Sequence, residues 1–284
     1  MKPSIAIIGS GAAAAFAHRA CKDYGCTKVD VYTDRMGKPS PGAFFFHWLP
    51  NDLRLKFEPE NVHYMGMGTA ERYWLNQWPD IAYEAMGPTS FPVKTYAQSG
   101  WDGHTVWDAL WDNAKITIMA ERFSDSDLRE MAKFHDIVLL TFPTQESLKE
   151  QGWCQVQIPI ESVQTVTMQI PPSSMLTLTQ QYDNFILYNG GEMFQWVRMS
   201  RLWGRTSFEY AHNSTYGQGD VSMTHHPDLL PNTPIWSRVP AKNFMLVGRF
   251  ARWDRKYLSH QSYPDTIGAL EHWDQGHRDF KELL

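Results

Sequence analysis

The stretch that decides the fold is residues 1–17, MKPSIAIIGSGAAAAFA. Residues 4–8 form a short apolar run typical of a buried strand, Gly9-Ser10-Gly11 follows as a turn, and small residues then begin a helix. A GxGxx(G/A) pattern is meaningful only in this order of strand, turn and helix, and Ala14 stands in its third small-residue position. The sequence therefore predicts a βα unit that binds the diphosphate of a dinucleotide.

Each small residue of this motif has a physical role. Gly9 permits the tight turn, Gly11 lets a diphosphate approach the backbone, and Ala14 lets the helix pack closely on its strand. The helix N-terminus presents N–H groups and a partial positive charge to the phosphates. Two other interpretations stay open: a secretory signal, which the break at Gly-Ser-Gly disfavours, and a glycine-turn unit without a ligand.

Size and composition limit the possible classes. The chain has 284 residues, enough for one large domain or two closely joined ones. Its net charge of −5 provides no electrostatic argument for nucleic acid or an anionic membrane, although local basic patches remain compatible with it. Cys21, Cys26 and Cys154 have neither disulfide nor metal spacing, which predicts a metal-free protein of the reducing cytoplasm. No apolar run approaches the roughly 20 residues of a spanning helix, so we expect a soluble protein.

A second strand is predicted at residues 28–33, KVDVYT. In dinucleotide folds an acidic residue at the end of this strand accepts hydrogen bonds from the adenosine ribose. Asp34 is the candidate for that role, and the neighbouring Arg35 leaves a 2′-phosphate, and hence NADP, open.

Residues 37–50, GKPSPGAFFFHWLP, are a Gly- and Pro-rich loop followed by an aromatic block. For a flavin ligand, Gly42 would bring the backbone close to the ring system, and His47 would line its face as a catalytic candidate. The alternative is a buried strand over residues 44–48 with a structural histidine.

Further along the chain, strand and helix patterns alternate. Gly66 to Thr69 precedes a helix capped by Thr69 and is a weaker second phosphate site, since no clear strand leads into it. A helix over residues 104–114, a strand over 115–120, a capped helix from about Ser126 and a continuous apolar strand over 135–143 follow. This order predicts an α/β fold with a doubly wound, Rossmann-like parallel sheet.

The composition changes after Pro143. Residues 154–211 contain several β-rich segments, and Asn189-Gly190 is a hairpin signal, which predicts a smaller antiparallel, β-rich substrate domain. We assign residues 1–150 and 236–284 to a discontinuous cofactor-binding domain and 151–235 to the substrate domain. Three arginines, at 198, 201 and 205, fit either an anionic substrate or a solvated strand face, and His225-His226 is read as loop.

The C-terminal part contains a further pattern of strand, turn and helix. A short strand ends at Gly248-Arg249, Trp253 and a polar loop follow, and Asp265 is the predicted N-cap of a helix that begins near Thr266 and continues as IGAL. These features resemble the C-terminal flavin segment of UDP-galactopyranose mutases and of the wider amine-oxidase and protoporphyrinogen-oxidase superfamily. The segment HDIVLLTFP at 135–143 is similar to another recurring element of that superfamily.

The resemblance implies FAD rather than NAD as the cofactor. Arg249 would pair with the FAD diphosphate, and the helix near Thr266 would direct its positive end at the flavin. Trp253, His260 and Tyr263 would border the ring, and we count His260 and Tyr263 with His47 as catalytic candidates. The resemblance covers residues 1–33, 135–143 and 242–270 and leaves the middle of the chain unassigned.

Three functions are compatible with these features. The first is an FAD-dependent oxidoreductase or lyase that oxidises an amine-type C–N bond of a small-molecule or nucleobase-linked substrate. By size and general pattern the chain loosely resembles the FAD-dependent lyases of bacteriophage thymine hypermodification, which would place it in the host cytoplasm. The second is a redox-neutral, mutase-like flavoenzyme on a nucleotide sugar, and the third is a non-catalytic FAD- or nucleotide-binding protein.

Overall fold

The computed structural model of the protein describes residues 2–34, 43–77, 91–119, 123–141, 161–168, 181–194, 196–210, 221–226, 241–252 and 257–280. Its strands form two sheets, one of five strands and one of eight. We call them the parallel sheet and the larger sheet.

The parallel sheet is built from short apolar segments distant in sequence. Its strands are β1 (Ile5–Ile8), β2 (Val29–Thr33), β6 (Ile116–Ile118), β7 (Ile137–Leu140) and β13 (Phe244–Leu246), in the spatial order β13-β7-β1-β2-β6. Every neighbouring pair is parallel. All residues of β1, β7 and β13 are buried, as expected for strands covered on both faces. The predicted doubly wound, Rossmann-like sheet is confirmed.

Helices cover both faces of this sheet. They are α1 (Ala12–Asp23), α3 (Gly103–Leu110), α4 (Asp125–Phe134), the short α5 (Arg249–Arg252) and α6 (Ser262–Asp274), with a 3₁₀ turn at Ser259–Gln261. One core contains Ile5, Ile7 and the buried faces of α1, α3 and α6. The other contains Ala6, Ile8 and Leu128 of α4. Alternate residues of β1 therefore supply both cores, which explains the apolar character of the whole strand.

The larger sheet has the order β12-β8-β11-β10-β9-β4-β5-β3. Its strands are β3 (Phe45–Phe46), β4 (Glu60–Gly68), β5 (Tyr96–Asp102), β8 (Glu161–Met168), β9 (Phe185–Gly190), β10 (Trp196–Leu202), β11 (Arg205–Tyr210) and β12 (Val221–His226); helix α2 (Ala70–Gln77) follows β4. The pairs are antiparallel except β4 with β9, which is parallel. The sheet is therefore mixed.

Residues 45–102 supply three strands of the larger sheet, although the sequence prediction places this range with the cofactor-binding domain. Asn189 and Gly190 end β9, and β10 returns antiparallel to it, as the hairpin signal predicts. The reading of His225-His226 as loop was wrong, because both residues belong to β12 and pair with β8.

Helix α4 begins slightly earlier than predicted. Its N-cap is Ser124, whose hydroxyl accepts from Asp127 N at 3.2 Å, while the Asp127 carboxylate accepts from Ser124 N at 2.8 Å. This reciprocal capping box satisfies two backbone donors at the helix start. Among the described residues, no helix combines the length and the apolarity that crossing a membrane requires.

Candidate cofactor and active site

The glycine turn has the backbone geometry that its sequence predicts. Gly9 has φ of +116°, in the left-handed region that favours glycine, and its N–H donates to Tyr32 O at 2.8 Å. Gly11 directly precedes α1, and a Cβ added to it would meet no heavy atom of the described residues within 4 Å. The first turn of α1 therefore faces open space where a diphosphate would approach the backbone. Ala14 is fully buried in the core beneath this turn.

Two neighbouring strand ends hold the turn in place. The buried hydroxyls of Ser10 and Thr33 lie 3.1 Å apart and join the turn to the end of β2. Thr141, just after β7, donates to Ile8 O through its hydroxyl at 2.9 Å and its backbone N–H at 3.0 Å. The turn is thus positioned by hydrogen bonds from both sides before any ligand binds.

Asp34 follows the last residue of β2 and is exposed at the same edge of the sheet as the glycine turn. Adjacent parallel strands bring their carboxyl ends to one edge, so Asp34 lies where the ribose acceptor of a dinucleotide site is expected. Arg35 and Gly42 lie outside the described residues, as does Trp253.

The C-terminal part of the chain returns to the glycine turn. Strand β13 pairs with β7, which pairs with β1 on its other side. Gly248 follows with φ of +96°, and a Cβ added there would lie 2.3 Å from Ala13 Cβ and 3.5 Å from Ser262 Oγ. Only a residue without a side chain allows this approach. The first turn of α1, the Gly248 turn and the start of α6 therefore meet at one point.

Arg249 is the first residue of α5, directly after this meeting point, and its side chain lies outside the described part of the structure. The next arginine, Arg252, has a structural role. Its Nε donates to Leu246 O at 3.0 Å, and its Nη2 pairs with Asp265, to which the Tyr257 hydroxyl also donates. These contacts fix α5 against the start of α6.

Helix α6 begins at Ser262, one turn earlier than predicted. Asp265 is therefore not an N-cap: it lies in the first turn, where its carboxylate is paired with Arg252. Thr266 is buried in the second turn, and its hydroxyl donates to Ser262 O at 2.7 Å. The earlier start brings the positive end of the helix to Ser262, beside Gly248.

His260 lies in the 3₁₀ turn before α6 and is 5% exposed. Its ring is 4.9 Å from the Trp48 ring and 6.5 Å from the Phe16 ring of α1, both edge to face. Burial, with a smaller contribution from His47, lowers the pKa of His260 to about 4. His260 is therefore a neutral imidazole at pH 7.

His47 lies on the larger-sheet side of Trp48. Its Nδ1 is 3.1 Å from the Tyr64 hydroxyl, and its ring is 4.4 Å from the Phe45 ring. Although His47 keeps an exposed edge, partial desolvation and then the charge of Arg198 lower its pKa. The structure thus brings His47 and His260 together on either side of Trp48.

Tyr263 does not join these two histidines in hydrogen bonding. Its hydroxyl lies 3.0 Å from Asp23 Oδ2 at the end of α1 and 2.9 Å from Asp52 O. Burial and the adjacent Asp23 raise its pKa, so the hydroxyl stays protonated. Since Asp23 also pairs with Arg19 at 2.8 Å, these contacts tie α6 to α1.

Sequence reasoning missed Tyr64 and Tyr96 on the larger sheet, whereas it named Arg198 as a candidate for contact with an anionic substrate. Tyr64 and Tyr96 face each other across β4 and β5, with ring centroids 4.8 Å apart and planes 4° from parallel. Arg198 pairs with Glu209 on β11, and its guanidinium lies 5.9 Å from the Tyr188 ring. The period-2 pattern of β4 marks Tyr64 as facing inward, but only strand register brings these residues together.

The Gly66-to-Thr69 segment does not have the geometry of a phosphate loop. A nine-residue strand leads into it, and Gly68, with φ of +79°, lies so close to β9 that an added Cβ would be 1.9 Å from Gly190 O. The Thr69 N–H donates to Gly190 O at 2.9 Å, and the Thr69 hydroxyl caps α2 by accepting from Arg72 N at 3.1 Å. The glycines serve strand packing here.

Comparisons with known proteins define the fold. No protein-family model matches the chain, and no curated protein matches it by sequence. The chain is similar to the crystal structure of a reduced UDP-galactopyranose mutase, with 11% identity and a TM-score of 0.55 over 99% of this chain and 97% of that one. It is also similar to BrvH, a flavin-dependent halogenase from Brevundimonas sp. BAL3, with 13% identity and a TM-score of 0.51 over 95% and 71%. The chain therefore shares its Rossmann-like α/β fold with these two proteins.

Proposed function

We propose that the chain binds FAD and is a flavin-dependent enzyme. The observation that carries this proposal is the contact of Gly248 with Ala13 and Ser262, which brings the two ends of the sequence around one site. A protein that binds only a nicotinamide dinucleotide at its first glycine turn has no need of such a return. The likeness to a mutase and to a flavin-dependent halogenase supports the same assignment.

The residues at the meeting point suit the separate parts of FAD. Gly9 and Gly11, with the first turn of α1, would hold the diphosphate, and Asp34 would accept from the ribose. Arg249 would add a bidentate pair to the diphosphate. The N-terminal end of α6, at Ser262 to Thr266, would place positive potential beside the isoalloxazine. When bound, the flavin supplies a two-electron acceptor for a substrate hydride.

We propose oxidation of an amine-type C–N bond as the reaction. A substrate ammonium must lose a proton before its C–H can transfer hydride, and His47, whose pKa desolvation and then Arg198 lower, would accept that proton through its exposed edge. Water then hydrolyses the imine to a carbonyl compound and an amine, so the C–N bond is cleaved overall. The electrons pass to oxygen or another acceptor. An amino-acid adduct on a nucleobase is one substrate of this class.

Trp48, with 40% of its surface exposed between the two histidines, would form one wall of the reaction space. Tyr64 and Tyr96 extend the aromatic wall onto the larger sheet. Such a wall excludes water from the reacting C–N bond and keeps the amine neutral.

A redox-neutral, mutase-like reaction on a nucleotide sugar is the second candidate. The likeness to the reduced mutase and the position of Arg198 near His47 favour it. A requirement for prereduced flavin separates it from net oxidation. A third candidate is a protein in which the flavin is only structural, and bound flavin that dithionite and air cannot cycle would favour it.

The absorbance spectrum of the purified protein tests the central proposal. We expect near-ultraviolet and blue flavin bands, and Arg249→Ala should reduce the flavin content about tenfold, while the matched variant Arg205→Ala, at the exposed first residue of β11, should not. Circular dichroism checks that both variants are folded. A folded protein that stays colourless after incubation with FAD would disprove the proposal.

A further inference from the structure

A groove of about 680 Å³ lies far from the glycine turn, at the amino-terminal edge of the parallel sheet. Its walls are the end of α4, the turn at residues 241–243 before β13, and the end of α6 with Arg278. Parallel strands place their amino ends at one edge and their carboxyl ends at the other, so this groove is separate from the cofactor site.

The groove concentrates positive charge in an acidic protein. Its lining contains four cationic side chains, from Arg129, Lys133, Lys242 and Arg278, and one carboxylate, Asp136. That carboxylate accepts from Ser4 N at 2.8 Å and Ser4 Oγ at 2.9 Å. The whole chain carries a net charge of −5, so the positive charge of the groove lining is opposite in sign to that of the protein as a whole.

Two further carboxylates, Glu130 and Asp30, lie next to side chains of the lining. Lys133 lies 3.2 Å from Glu130, and both side chains are more than half exposed, so the pair is weakened by solvent and salt. His135, also in the lining, is buried and lies 3.2 Å from Asp30 on β2.

Aromatic rings lie among these cations. Phe134, the last residue of α4, is 65% exposed. Trp273 lies beneath Arg278, whose guanidinium is 3.4 Å from the indole centroid and donates to Trp273 O at 2.8 Å and His277 O at 2.7 Å. The groove therefore offers an accessible aromatic face and a guanidinium held flat beside it.

Hydrogen bonds link the walls of the groove to one another. Asn243 Nδ2 donates to Ala132 O and His135 O, both at 3.0 Å, which ties the 241–243 turn to the end of α4. On the other wall, Phe280 N donates to Lys242 O at 2.9 Å. These hydrogen bonds hold the walls in position, so binding a ligand would cost less conformational entropy.

We propose that this groove binds a short stretch of single-stranded nucleic acid. Phosphates would contact Lys133, Lys242 and Arg129, and a base would stack on Phe134, which is the combination used for single strands. A peptide of acidic side chains alone, such as poly-glutamate, would supply negative charge but no planar ring to stack on Phe134. The bases of a duplex stack on one another, so no base face would be free to stack on Phe134. The inference goes beyond the proposed flavin function and does not depend on it.

The test is fluorescence anisotropy of the full chain with a fluorescein-labelled 12-nucleotide oligo-dT. With three phosphate contacts, we expect affinity to fall about 20-fold between 50 and 200 mM salt, from a slope of roughly −0.7 per contact. Lys242→Glu should weaken binding about tenfold and flatten the salt dependence. Phe134→Ala should weaken it about tenfold with an unchanged salt slope, because stacking is not ionic.

The matched control is Lys115→Glu, an exposed lysine before β6 at the other end of the same sheet edge. If Lys115→Glu binds oligo-dT within twofold of the parent protein, the result supports the groove as the binding site. A loss of affinity equal to that of Lys242→Glu overturns the proposal. Absence of oligo-dT binding at 50 mM salt, or equal binding of poly-glutamate or of duplex DNA, also overturns the proposal. Flavin content, measured on the same samples, reports on the cofactor proposal separately.

Discussion

The parallel sheet and the larger sheet bring their strands together by different means. Strands β1, β7 and β13 are three or four residues long, entirely apolar and buried on both faces. Such a short apolar run is enough to predict a central strand of a parallel sheet. The larger sheet mixes buried tyrosines, an arginine and polar residues, and it pairs β4 with the distant β9 in parallel. Local sequence is therefore sufficient for the parallel sheet, whereas register is decisive for the larger sheet.

Adding one methyl group to each sheet tests this difference between them most directly. Gly68→Ala and Gly248→Ala should each lower the free energy of unfolding by about 2–5 kcal/mol, from left-handed strain plus backbone or side-chain overlap. Urea denaturation measures the loss. Gly248→Ala should also lower flavin content in the folded protein, because Gly248 abuts the first turn of α1, while Gly68→Ala should not.

Gly276→Ala is the control for strain alone, since Gly276 has φ of +93° and nothing within 4 Å of an added Cβ among the described residues. We expect a loss of about 1–2 kcal/mol. If Gly248→Ala costs no more than this control, the close approach at the meeting point is not required.

Acid should destabilise the parallel-sheet half through two buried histidines. His18, 3% exposed and stacked on Trp111, and His260 both have a pKa lowered to about 4, chiefly by burial. The unfolded chain, with its ordinary histidine pKa near 6.5, binds more protons between these pH values. Stability is therefore full above pH 6.5 and falls towards pH 4, by roughly 3 kcal/mol for each histidine.

Thermal unfolding at pH 7 and pH 5 measures this effect. His18→Gln and His260→Gln should each flatten the pH dependence, while the exposed His277→Gln serves as the matched control. A pH dependence that both buried-site variants leave unchanged contradicts the assignment.

The capping box of α4 is a local stabilising feature, and removing the Ser124 hydroxyl tests its contribution. Ser124→Ala removes the acceptor for the Asp127 N–H and should lower the free energy of unfolding by about 1 kcal/mol. Ser126→Ala, which keeps the capping box, should change it by less than half as much. If urea denaturation gives the same loss of unfolding free energy for both variants, the capping box does not stabilise the helix.

The smallest expected effect on stability belongs to the larger sheet. Tyr64→Phe keeps the ring stack on Tyr96 but removes the hydroxyl that meets His47, so we expect a loss of about 1 kcal/mol or less. The clearer result should be a changed tautomer population of His47 in nitrogen-15 NMR. Tyr96→Phe is the control, and an identical His47 signal in both variants would rule out the Tyr64 contact in solution.

Much of the cofactor half was predictable because its signals are local. The glycine turn, β1, β7, β13 and the capping of α4 all follow from short segments, and each was confirmed in type and approximate position. The errors arose where a local signal had two structural solutions. Asp265 has a side chain suited to an N-cap, but in the structure it lies in the first turn of α6 and pairs with Arg252. The segment from Gly66 to Thr69 has the residue types of a phosphate loop, but it packs against Gly190 instead.

By itself, the amino-acid sequence determined the fold class and the glycine turn, because apolar runs and glycines act within a few residues of one another, whereas the return of the C-terminal part was expected only from the family resemblance. Only the tertiary structure decided that His47 meets Tyr64, that Tyr64 stacks on Tyr96, and that Arg198 lies beside them. Those contacts depend on which strands become neighbours and in which register. A shift of one residue would turn each of these side chains to the other face of the sheet.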